Sequence, residues 1–317
     1  MRAAFVAEPS AADPVAAIRV GDLDVPAVPD GWVRVDVRAG ALNMHDLWTL
    51  RGVTRRPHAG PHVLGSDAAG VAGGRDVVVY PVLPAPGGRA VPHATLLPDA
   101  GHGVLAEHIA VPARHVVARP EHLDWAEAAS LPTAWLTAYR MLFTKAGLVP
   151  GQVVLVQGAG GGVATAAISL AVAAGATVIV TSRSAGKRER ALALGAATAL
   201  DTGARTPEPA DVVIETVGTA TFEHSTRSVR IGGTIVVCGG TSGFTASLDL
   251  ARLFAREITV RGSTMGSLEE FRALVGFVAE HRLRPAVDST VDLADIRTQA
   301  GRMLAGDAFG KLCVRVA

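Results

Sequence analysis

A glycine-rich turn between a strand and a helix constrains the fold of this chain more than any other feature of its sequence. The apolar run 153–157 leads directly into Gly158-Ala-Gly-Gly-Gly-Val163, and an alanine-rich helical pattern follows. Small residues let such a turn bend sharply, approach a pyrophosphate closely and hold the helix against its strand. The helix N-terminus adds unpaired N–H groups and a partial positive charge. This combination indicates a nucleotide site.

A second apolar strand, predicted at Thr177–Thr181, completes a β-α-β unit around the turn. This context favours a dinucleotide site over an ordinary tight connection between a strand and a helix. The predicted phosphate-binding residues of the turn are Gly158, Gly160, Gly161, Gly162 and Val163.

The residues that follow the second strand indicate which dinucleotide binds. A site for NAD usually carries Asp or Glu there, where the carboxylate binds the ribose hydroxyls. This chain has Ser182, Arg183 and Lys187 instead, so hydroxyl and cationic groups are present and no carboxylate repels a 2′-phosphate. The sequence therefore predicts NADPH as the cofactor. The alternative is that these residues form a solvated basic start to the next helix.

The pattern of strands and helices divides the chain into two predicted domains. Residues 122–263 alternate near-continuous apolar strands with helices, which is typical of a doubly wound parallel sheet in an α/β fold. The predicted strands are Val153–Gln157, Thr177–Thr181, Val212–Glu215, Thr234–Cys238 and Ile258–Arg261, and Cys238 is interpreted as buried in its strand. Residues 1–121 begin with a predicted strand, Arg2–Val6, and carry short strand-like runs separated by Pro and Gly, which is typical of a small antiparallel β-barrel. We expect residues 264–317 to return to the first domain and complete it.

Composition limits the classes of partner. The 30 basic and 29 acidic residues give a net charge of +1, so no overall field attracts nucleic acid or a membrane surface. Two cysteines are too few for a disulfide framework, and they favour a reducing, cytoplasmic location. The first ten residues lack the apolar run of a signal peptide, and the apolar stretch Gly161–Gly175 is interpreted as a buried helix. We expect the ligands to be small molecules.

Six further segments appear in a characteristic order along the chain. They are Gly40–Asp46, Leu64–Gly70, Leu131–Leu142, Asp211–Gly218, Gly232–Gly240 and Gly310-Lys311. Together with the nucleotide turn they resemble the medium-chain dehydrogenase/reductase family, specifically its zinc-independent branch of quinone oxidoreductases and enoyl reductases. The resemblance covers nearly all of the 317 residues.

The resemblance implies a GroES-like β-barrel catalytic domain, a Rossmann cofactor domain and a homodimer. It places Thr137 against the nicotinamide and Asn43 near the nicotinamide ribose or the substrate oxygen. A hydroxyl bonded within its own helix and a turn-stabilising amide are the respective alternatives. Asp46 and Asp67 are interpreted as structural. The remaining cofactor contacts that it implies are Val217, Gly218, Cys238, Gly239, Gly240 and Lys311, the last of which could also be solvated.

Two positions depart from the family pattern. The segment Gly70–Val78 is shorter than the usual hairpin, which affects the edge of the catalytic domain. Ala164 stands where a third glycine is common in the nucleotide turn, but alanine is small enough to keep the helix close to its strand.

The residues at the zinc-ligand positions of the family are not zinc ligands of the usual kind. Thiolate and imidazole groups hold the catalytic metal in zinc-dependent relatives. Here Asn43 stands where a cysteine would bind, and Ser66-Asp67 stand where His-Glu would stand. The loop Pro81–Gly103 contains no cysteine, and the pair His58/His62 has no third ligand in view. We therefore expect an enzyme without a metal.

This expectation favours one kind of reaction. Without a Lewis acid, alcohol oxidation loses its main means of stabilising an alkoxide, whereas reduction of an activated C=C bond or a quinone needs hydride delivery and hydrogen bonds. The sequence therefore predicts an NADPH-dependent quinone or enone reductase, with solvent as the proton donor. The alternatives are a metal-free alcohol or carbonyl dehydrogenase and a non-catalytic NADPH-binding sensor.

Overall fold

A computed structural model describes residues 1–54, 60–84 and 95–317, which form two compact units. Unit 1 comprises Met1–Ala134 and Ser267–Ala317, and unit 2 comprises Trp135–Gly266. His58 and residues 85–94 of the predicted loop Pro81–Gly103 lie outside the described residues.

The N-terminal part of unit 1 consists mainly of short strands. The predicted strand Arg2–Val6 is confirmed residue for residue. In chain order the elements are β1 (Arg2–Val6), β2 (Ile18–Asp22), β3 (Trp32–Ala41), α1 (Met44–Leu50), β4 (His62–Val63), β5 (Asp67–Ala72), β6 (Arg75–Val79), β7 (Val82–Leu83), β8 (Thr95–Leu96), β9 (His108–Pro112), β10 (Val116–Ala118) and α2 (Trp125–Ala129), with short 3-10 turns at Pro98–Ala100 and Ala113–His115.

Unit 2 alternates strands and helices, as the sequence predicts. The chain is π-helical at Leu131–Trp135, where unit 1 ends and unit 2 begins, and again at Arg140–Lys145. The further elements are α3 (Leu136–Tyr139), β11 (Val153–Val156), α4 (Gly162–Ala173), β12 (Thr177–Thr181), α5 (Ala185–Ala193), β13 (Thr198–Leu200), β14 (Ala210–Glu215), α6 (Phe222–Ser228), β15 (Val229–Val237), α7 (Leu250–Ala255) and β16 (Thr259–Gly262).

The sheet of unit 2 confirms the predicted Rossmann fold. Its strands are parallel and lie in the order β13-β12-β11-β14-β15-β16. The order reverses between β11 and β14, and ligands of such sheets bind at the carboxyl ends of the strands beside this reversal. Both strands are apolar and buried, since helices cover the two faces of a doubly wound sheet.

The C-terminal segment completes unit 1, as predicted. Its elements are α8 (Leu268–Glu280), β17 (Val287–Asp292), α9 (Ile296–Ala305) and β18 (Lys311–Arg315). Strand β18 pairs antiparallel with β3 and parallel with β17, in a sheet of order β10-β6-β5-β3-β18-β17 in which β9 also pairs with β3. The last strand of the chain therefore lies inside the sheet.

The two boundaries between the units differ slightly from the predicted ones at 121/122 and 263/264. Residues 122–134, which we assigned to the Rossmann domain, lie in unit 1. Helix α2 in this stretch packs against β3, β5 and β18, so it covers the sheet of unit 1.

The shortened hairpin Gly70–Val78 proves to be a minimal two-residue connection. Strands β5 and β6 are joined by Gly73 and Gly74, whose φ angles are +54° and +76°. A type I′ turn requires positive φ at both positions and matches the twist of paired strands, so two glycines are well suited to it.

No helix in the described part of the chain combines the length and the apolar character that crossing a bilayer requires. The apolar stretch of unit 2 is the buried helix α4.

Candidate nucleotide and active sites

The glycine turn after β11 has a backbone that other residues rarely adopt. Gly158 has a φ of +78° and Gly160 a φ of +129°. A Cβ atom built on Gly158 would lie 2.5 Å from Cγ2 of Val217, which belongs to the turn after β14. The turn after β11 therefore lies close against the turn after β14, on the side of the sheet where its strand order reverses.

The start of helix α4 is open to a ligand. Its N-cap is Gly161, which makes no side-chain capping hydrogen bond, and a Cβ atom built there would meet no protein atom within 4 Å. Val163 in the first turn is half-buried, and Ala164 is buried, which keeps the helix close to the strand. Free N–H groups at a helix start, next to a turn without side chains, fit a pyrophosphate.

The three predicted ligands of a 2′-phosphate follow β12, and one of them, Lys187 in α5, lies at this turn. Ser182 is buried, and its Oγ accepts a hydrogen bond from the Ser184 amide at 3.3 Å, so its own O–H can still donate. Arg183 is exposed. The Lys187 side chain lies beside Gly160, where an added Cβ would be 2.7 Å from its Cδ and 3.2 Å from its Nζ. The fold thus places an ammonium group directly over the glycine turn.

Arg188, the next cation along the chain, is engaged by the protein itself. Its guanidinium donates to the carbonyl of Ser182 at 2.7 Å and pairs with Asp201 at 2.5 Å. Among the cations of this segment, Arg183 and Lys187 are the ones that the sequence predicts as ligands of a 2′-phosphate.

Glu215, which the sequence analysis did not single out, organises the neighbouring turn. Its carboxylate is fully buried and accepts hydrogen bonds from the amides of Val217 and Gly218 at 2.8 and 3.0 Å. The hydroxyls of Thr221 and Ser225 also donate to it, at 2.8 and 2.6 Å. An acidic residue that ends an otherwise apolar strand was the available signal, because a buried carboxylate must be bonded by several donors.

Other backbone atoms lie close to the segment after β15, which contains Cys238, Gly239 and Gly240. The predicted strand Thr234–Cys238 ends at Val237, so Cys238 lies just beyond it and is half-buried, which corrects our placement of this thiol inside a strand. Burial, together with the charge of Glu215, raises the pKa of Cys238 to about 12, so the thiol stays protonated. A Cβ on Gly240 would lie 2.5 Å from the Gly243 oxygen, and one on Gly239 would lie 3.4 Å from the Thr216 oxygen.

Thr137 is buried in α3 and is not bonded within its own helix. Its Oγ1 donates to Sδ of Met265 at 3.8 Å, and Met265 has a φ of +47°. A thioether is a weak acceptor, so this contact holds the hydroxyl only lightly. The second interpretation of Thr137, a hydroxyl bonded back along the helix, is wrong.

In unit 1 a buried lysine stands at the centre of a polar cluster. Nζ of Lys311 lies 2.6 Å from Oδ1 of Asn43, 2.8 Å from the Leu42 oxygen and 2.9 Å from Oδ2 of Asp67. These three acceptors use all three N–H donors of the ammonium. Lys311 is therefore neither solvated nor available to cofactor phosphates, and we withdraw it from the predicted cofactor contacts. We call Lys311, Asn43, Asp67 and Leu42 the lysine cluster.

Asn43 connects the lysine cluster to Ser66 and to Asp46 in the first turn of α1. Its Nδ2 donates to Oγ of Ser66 at 3.3 Å, and its backbone amide donates to Oδ2 of Asp46 at 2.8 Å. Asp46 also accepts from the Gly65 amide at 2.9 Å, and burial raises the pKa of its carboxyl group. Asn43 and Asp46 thus stabilise the turn before α1.

The three positions that match zinc ligands of the family all take part in these bonds. Asn43 and Asp67 accept from Lys311, and Ser66 accepts from Asn43 and contacts Oγ1 of Thr133 at 3.0 Å. Within residues 1–54, 60–84 and 95–317, no group of three or more His, Cys, Asp or Glu side chains is placed to hold a metal ion.

Comparison with known proteins shows likeness along the whole chain. A model of the zinc-binding dehydrogenase family matches residues 162–280. Crotonyl-CoA carboxylase/reductase of Cereibacter sphaeroides is 29% identical, over 90% of this chain and 80% of the relative. Acryloyl-coenzyme A reductase of Metallosphaera sedula is 30% identical, over 87% of this chain and 90% of the relative. The crystal structure of an NAD-dependent alcohol dehydrogenase is 32% identical and superimposes with a TM-score of 0.92 over 100% of both chains.

Proposed function

The chain belongs to the medium-chain dehydrogenase/reductase family, in its enoyl reductase branch, and from this premise we propose that it is an NADPH-dependent reductase of α,β-unsaturated thioesters. Two of its relatives are reductases whose names carry the coenzyme A ester of an unsaturated acid. Quinones and simple enones, which the sequence also suggested, are tested beside thioesters below.

The observation that carries the choice of cofactor is the position of Lys187 over the glycine turn. Its side chain lies beside Gly160, and Arg183 is exposed at the end of the strand that leads to it. No carboxylate follows β12 before helix α5, so nothing there repels a 2′-phosphate. We assign the pyrophosphate to Gly158, Gly160, Gly161, Gly162 and Val163, and the 2′-phosphate to Ser182, Arg183 and Lys187.

The observation that carries the reaction class is the lysine cluster. The Asn43 oxygen and the Asp67 carboxylate already bind the ammonium of Lys311 at 2.6 and 2.9 Å. A dication placed on these acceptors would displace or oppose a buried positive charge. The residues therefore do not fit a catalytic zinc ion, and reduction of a conjugated C=C bond does not require one.

When bound, NADPH supplies the hydride. The roles of the protein are to bind, orient and stabilise. Thr137 is assigned to the nicotinamide carboxamide, since its hydroxyl is held only by Met265 Sδ at 3.8 Å. Val217 and Gly218, fixed by Glu215, are assigned to the adenosine side, and Cys238, Gly239 and Gly240 to the segment that approaches the nicotinamide. Asn43 keeps its second assignment, as a donor to the substrate oxygen.

A second function is favoured by one relative. The alcohol dehydrogenase at 32% identity is NAD-dependent and aligns over the whole chain. A metal-free alcohol or carbonyl dehydrogenase is therefore the competing function to test.

The deciding experiment follows NADPH and NADH oxidation with crotonyl-CoA, an enone, a quinone and a simple ketone at equal concentrations. We expect the highest kcat/KM with NADPH and the enoyl thioester. Turnover of the ketone alone would identify a carbonyl reductase, and a protein that binds NADPH but reduces none of the four would be a sensor. Light scattering of the same sample tests the proposed homodimer, for which we expect twice the chain mass of 32.5 kDa.

A further inference from the structure

Reduction of a conjugated C=C bond needs a proton as well as a hydride, and the sequence suggested no side chain to supply it. The structure contains a histidine–carboxylate pair close to Asn43 that none of the roles above uses. His45 lies in the first turn of α1, and its Nε2 is 3.0 Å from Oδ2 of Asp99, which lies in the 3-10 turn Pro98–Ala100. The two side chains are 14% and 20% exposed.

This pair has the arrangement of an oriented proton donor. A carboxylate only accepts hydrogen bonds, so Nε2 of His45 carries a proton and donates to Asp99. Nδ1 of His45 is buried and has no hydrogen-bond partner among the described residues. A buried polar atom without a partner destabilises the free protein, and such atoms are common at functional sites. One nitrogen is thus held by a carboxylate, while the other makes no hydrogen bond to the described residues.

We propose that His45, oriented by Asp99, is the general acid that protonates the α-carbon of the reduced substrate; this inference rests on the proposed function. Hydride addition to the β-carbon leaves an enolate. The Nδ1–H bond of the doubly protonated ring then breaks as the α-C–H bond forms from the enolate electron pair. His45 is left neutral and takes a new proton from solvent, so each turnover consumes one hydride and one proton.

Other histidines and Lys311 are less suited to this role. Nδ1 of His115 donates to the Tyr80 carbonyl oxygen, and burial, with Arg114 nearby, lowers the pKa of His115 to about 4, so its ring is neutral near pH 7. Both ring nitrogens of His224 are bonded, to Gln157 and to the Ala204 oxygen. The ammonium of Lys311 has all of its donors engaged in the lysine cluster.

The charges around His45 keep its ring protonated at a higher pH than usual. Burial alone would lower the pKa of His45, but the hydrogen bond and the charge of Asp99, together with the charge of Asp46 on the same helix, raise it. The protonated form is the one that can donate. Activity that depends on it is therefore present below the pKa of His45 and is lost as the pH rises through that value.

The test compares His45→Gln and Asp99→Asn with His108→Gln. Glutamine can still donate to Asp99 but cannot release a proton. His108 also pairs with a carboxylate, Asp36, at 2.9 Å, but it does so through Nδ1 and is more exposed, so its variant is a control for loss of a histidine–carboxylate pair. Each protein is assayed with NADPH and crotonyl-CoA in D2O. The readouts are kcat and KM against pH, and the configuration of the deuterium that the α-carbon gains.

We expect His45→Gln to lower kcat about 100-fold or more with a much smaller change in KM, since general acids contribute on that scale. We expect it also to give deuterium of mixed configuration, because solvent then protonates either face. Asp99→Asn should lower the pKa of His45, so kcat should fall at a lower pH than in the wild type. His108→Gln should have the kcat, the KM and the deuterium configuration of the wild type. A purely structural pair would change thermal stability but neither the configuration nor the pH profile.

Two failures are distinguishable. If the wild type reduces the thioester and His45→Gln retains its kcat and a single deuterium configuration, the role of His45 is overturned and the proposed function stands. If the wild type reduces no enoyl thioester, the proposed function is overturned and this inference fails with it.

Discussion

At the scale of single residues, Lys311 shows how a charge is kept in the interior of unit 1. Only 3% of its surface is exposed, and Asp67 beside it is fully buried. Removing two charges from water is unfavourable unless their remaining hydrogen-bonding capacity is satisfied. The Asn43 and Leu42 oxygens satisfy the ammonium, so the amide of Asn43 is needed for stability whatever its part in the reaction.

We predict that Asn43→Ala lowers the free energy of unfolding by about 1.5–3 kcal/mol, because it removes a hydrogen bond to a buried charged group. Urea unfolding at pH 7 measures this. Asn43→Asp keeps an acceptor for Lys311 and should lose less. If Asn43→Ala and the wild type had the same free energy of unfolding, the Asn43 oxygen would not stabilise the ammonium of Lys311.

Cofactor choice also depends on individual side chains. We predict that NADPH binds at least about 30-fold more tightly than NADH, from one or two charge-assisted bonds weakened by exposure and salt. Arg183→Ala and Lys187→Ala should each reduce this ratio while the Kd for NADH barely changes. Arg227→Ala is the control, since Arg227 is an exposed arginine that pairs with Glu223 on α6. Similar dissociation constants for both dinucleotides in the wild type would contradict the assignment.

At the scale of elements, the parallel strands were predictable because each is a short, continuous apolar run. Thr177–Thr181 was located without error, and β14 begins only two residues before the predicted Val212. Strand β15 begins at Val229, well before the predicted Thr234, because Val229 already pairs with Ala210 of β14 and a register shift takes up residues 230–233. No local pattern contains that information.

The candidate sites, like the strands, were predictable only where their residues are neighbours in the sequence. The glycine turn was visible in the sequence because its residues are contiguous. The position of Lys187 over Gly160 was not, since a β-α-β unit must fold before the two meet. The bonds of Lys311 join residues 268 and 244 positions apart, and no spacing rule reaches so far.

The turn after β11 can be tested as an element. A Cβ on Gly161 meets no protein atom within 4 Å, so Gly161→Ala should change stability by less than about 1 kcal/mol. If a pyrophosphate lies on this turn, the added methyl group should raise the Kd of NADPH about tenfold or more, as steric loss of a charge-assisted contact does.

Gly186→Ala is the matched control for this variant. Gly186 lies in the first turn of α5, and its Cβ would also meet nothing within 4 Å. We expect its Kd for NADPH to stay near that of the wild type in isothermal titration. Equal Kd values for the two alanine variants would place the phosphates elsewhere.

At the scale of the whole molecule, the chain resembles zinc-binding dehydrogenases, but the residues at the zinc-ligand positions are not the usual ligands. The family model matches residues 162–280, which begin at helix α4, whereas the zinc-ligand positions 43, 66 and 67 lie outside that range. Likeness of the cofactor unit therefore says nothing about a metal in unit 1.

We predict that the purified protein holds zinc far below one ion per chain and keeps its activity in EDTA. The buried ammonium of Lys311 occupies the oxygens of Asn43 and Asp67 that a metal would need. Elemental analysis of protein expressed with added zinc measures the content. Stoichiometric zinc that survives dialysis would overturn both the ligand argument and the proposed reaction class.

The position of strand β18 also sets an order of events during synthesis. Unit 2 is one continuous stretch, Trp135–Gly266, which is synthesised before the segment Ser267–Ala317 of unit 1. The sheet of unit 1 has no β18 at that moment, and the Asp67 carboxylate has no Lys311 to neutralise it. Because domains fold as units when their residues become available, the Rossmann unit can fold first, and the N-terminal unit waits until β18 has been synthesised. A nascent chain truncated before Lys311 would therefore depend on chaperones to shield the open strand β3.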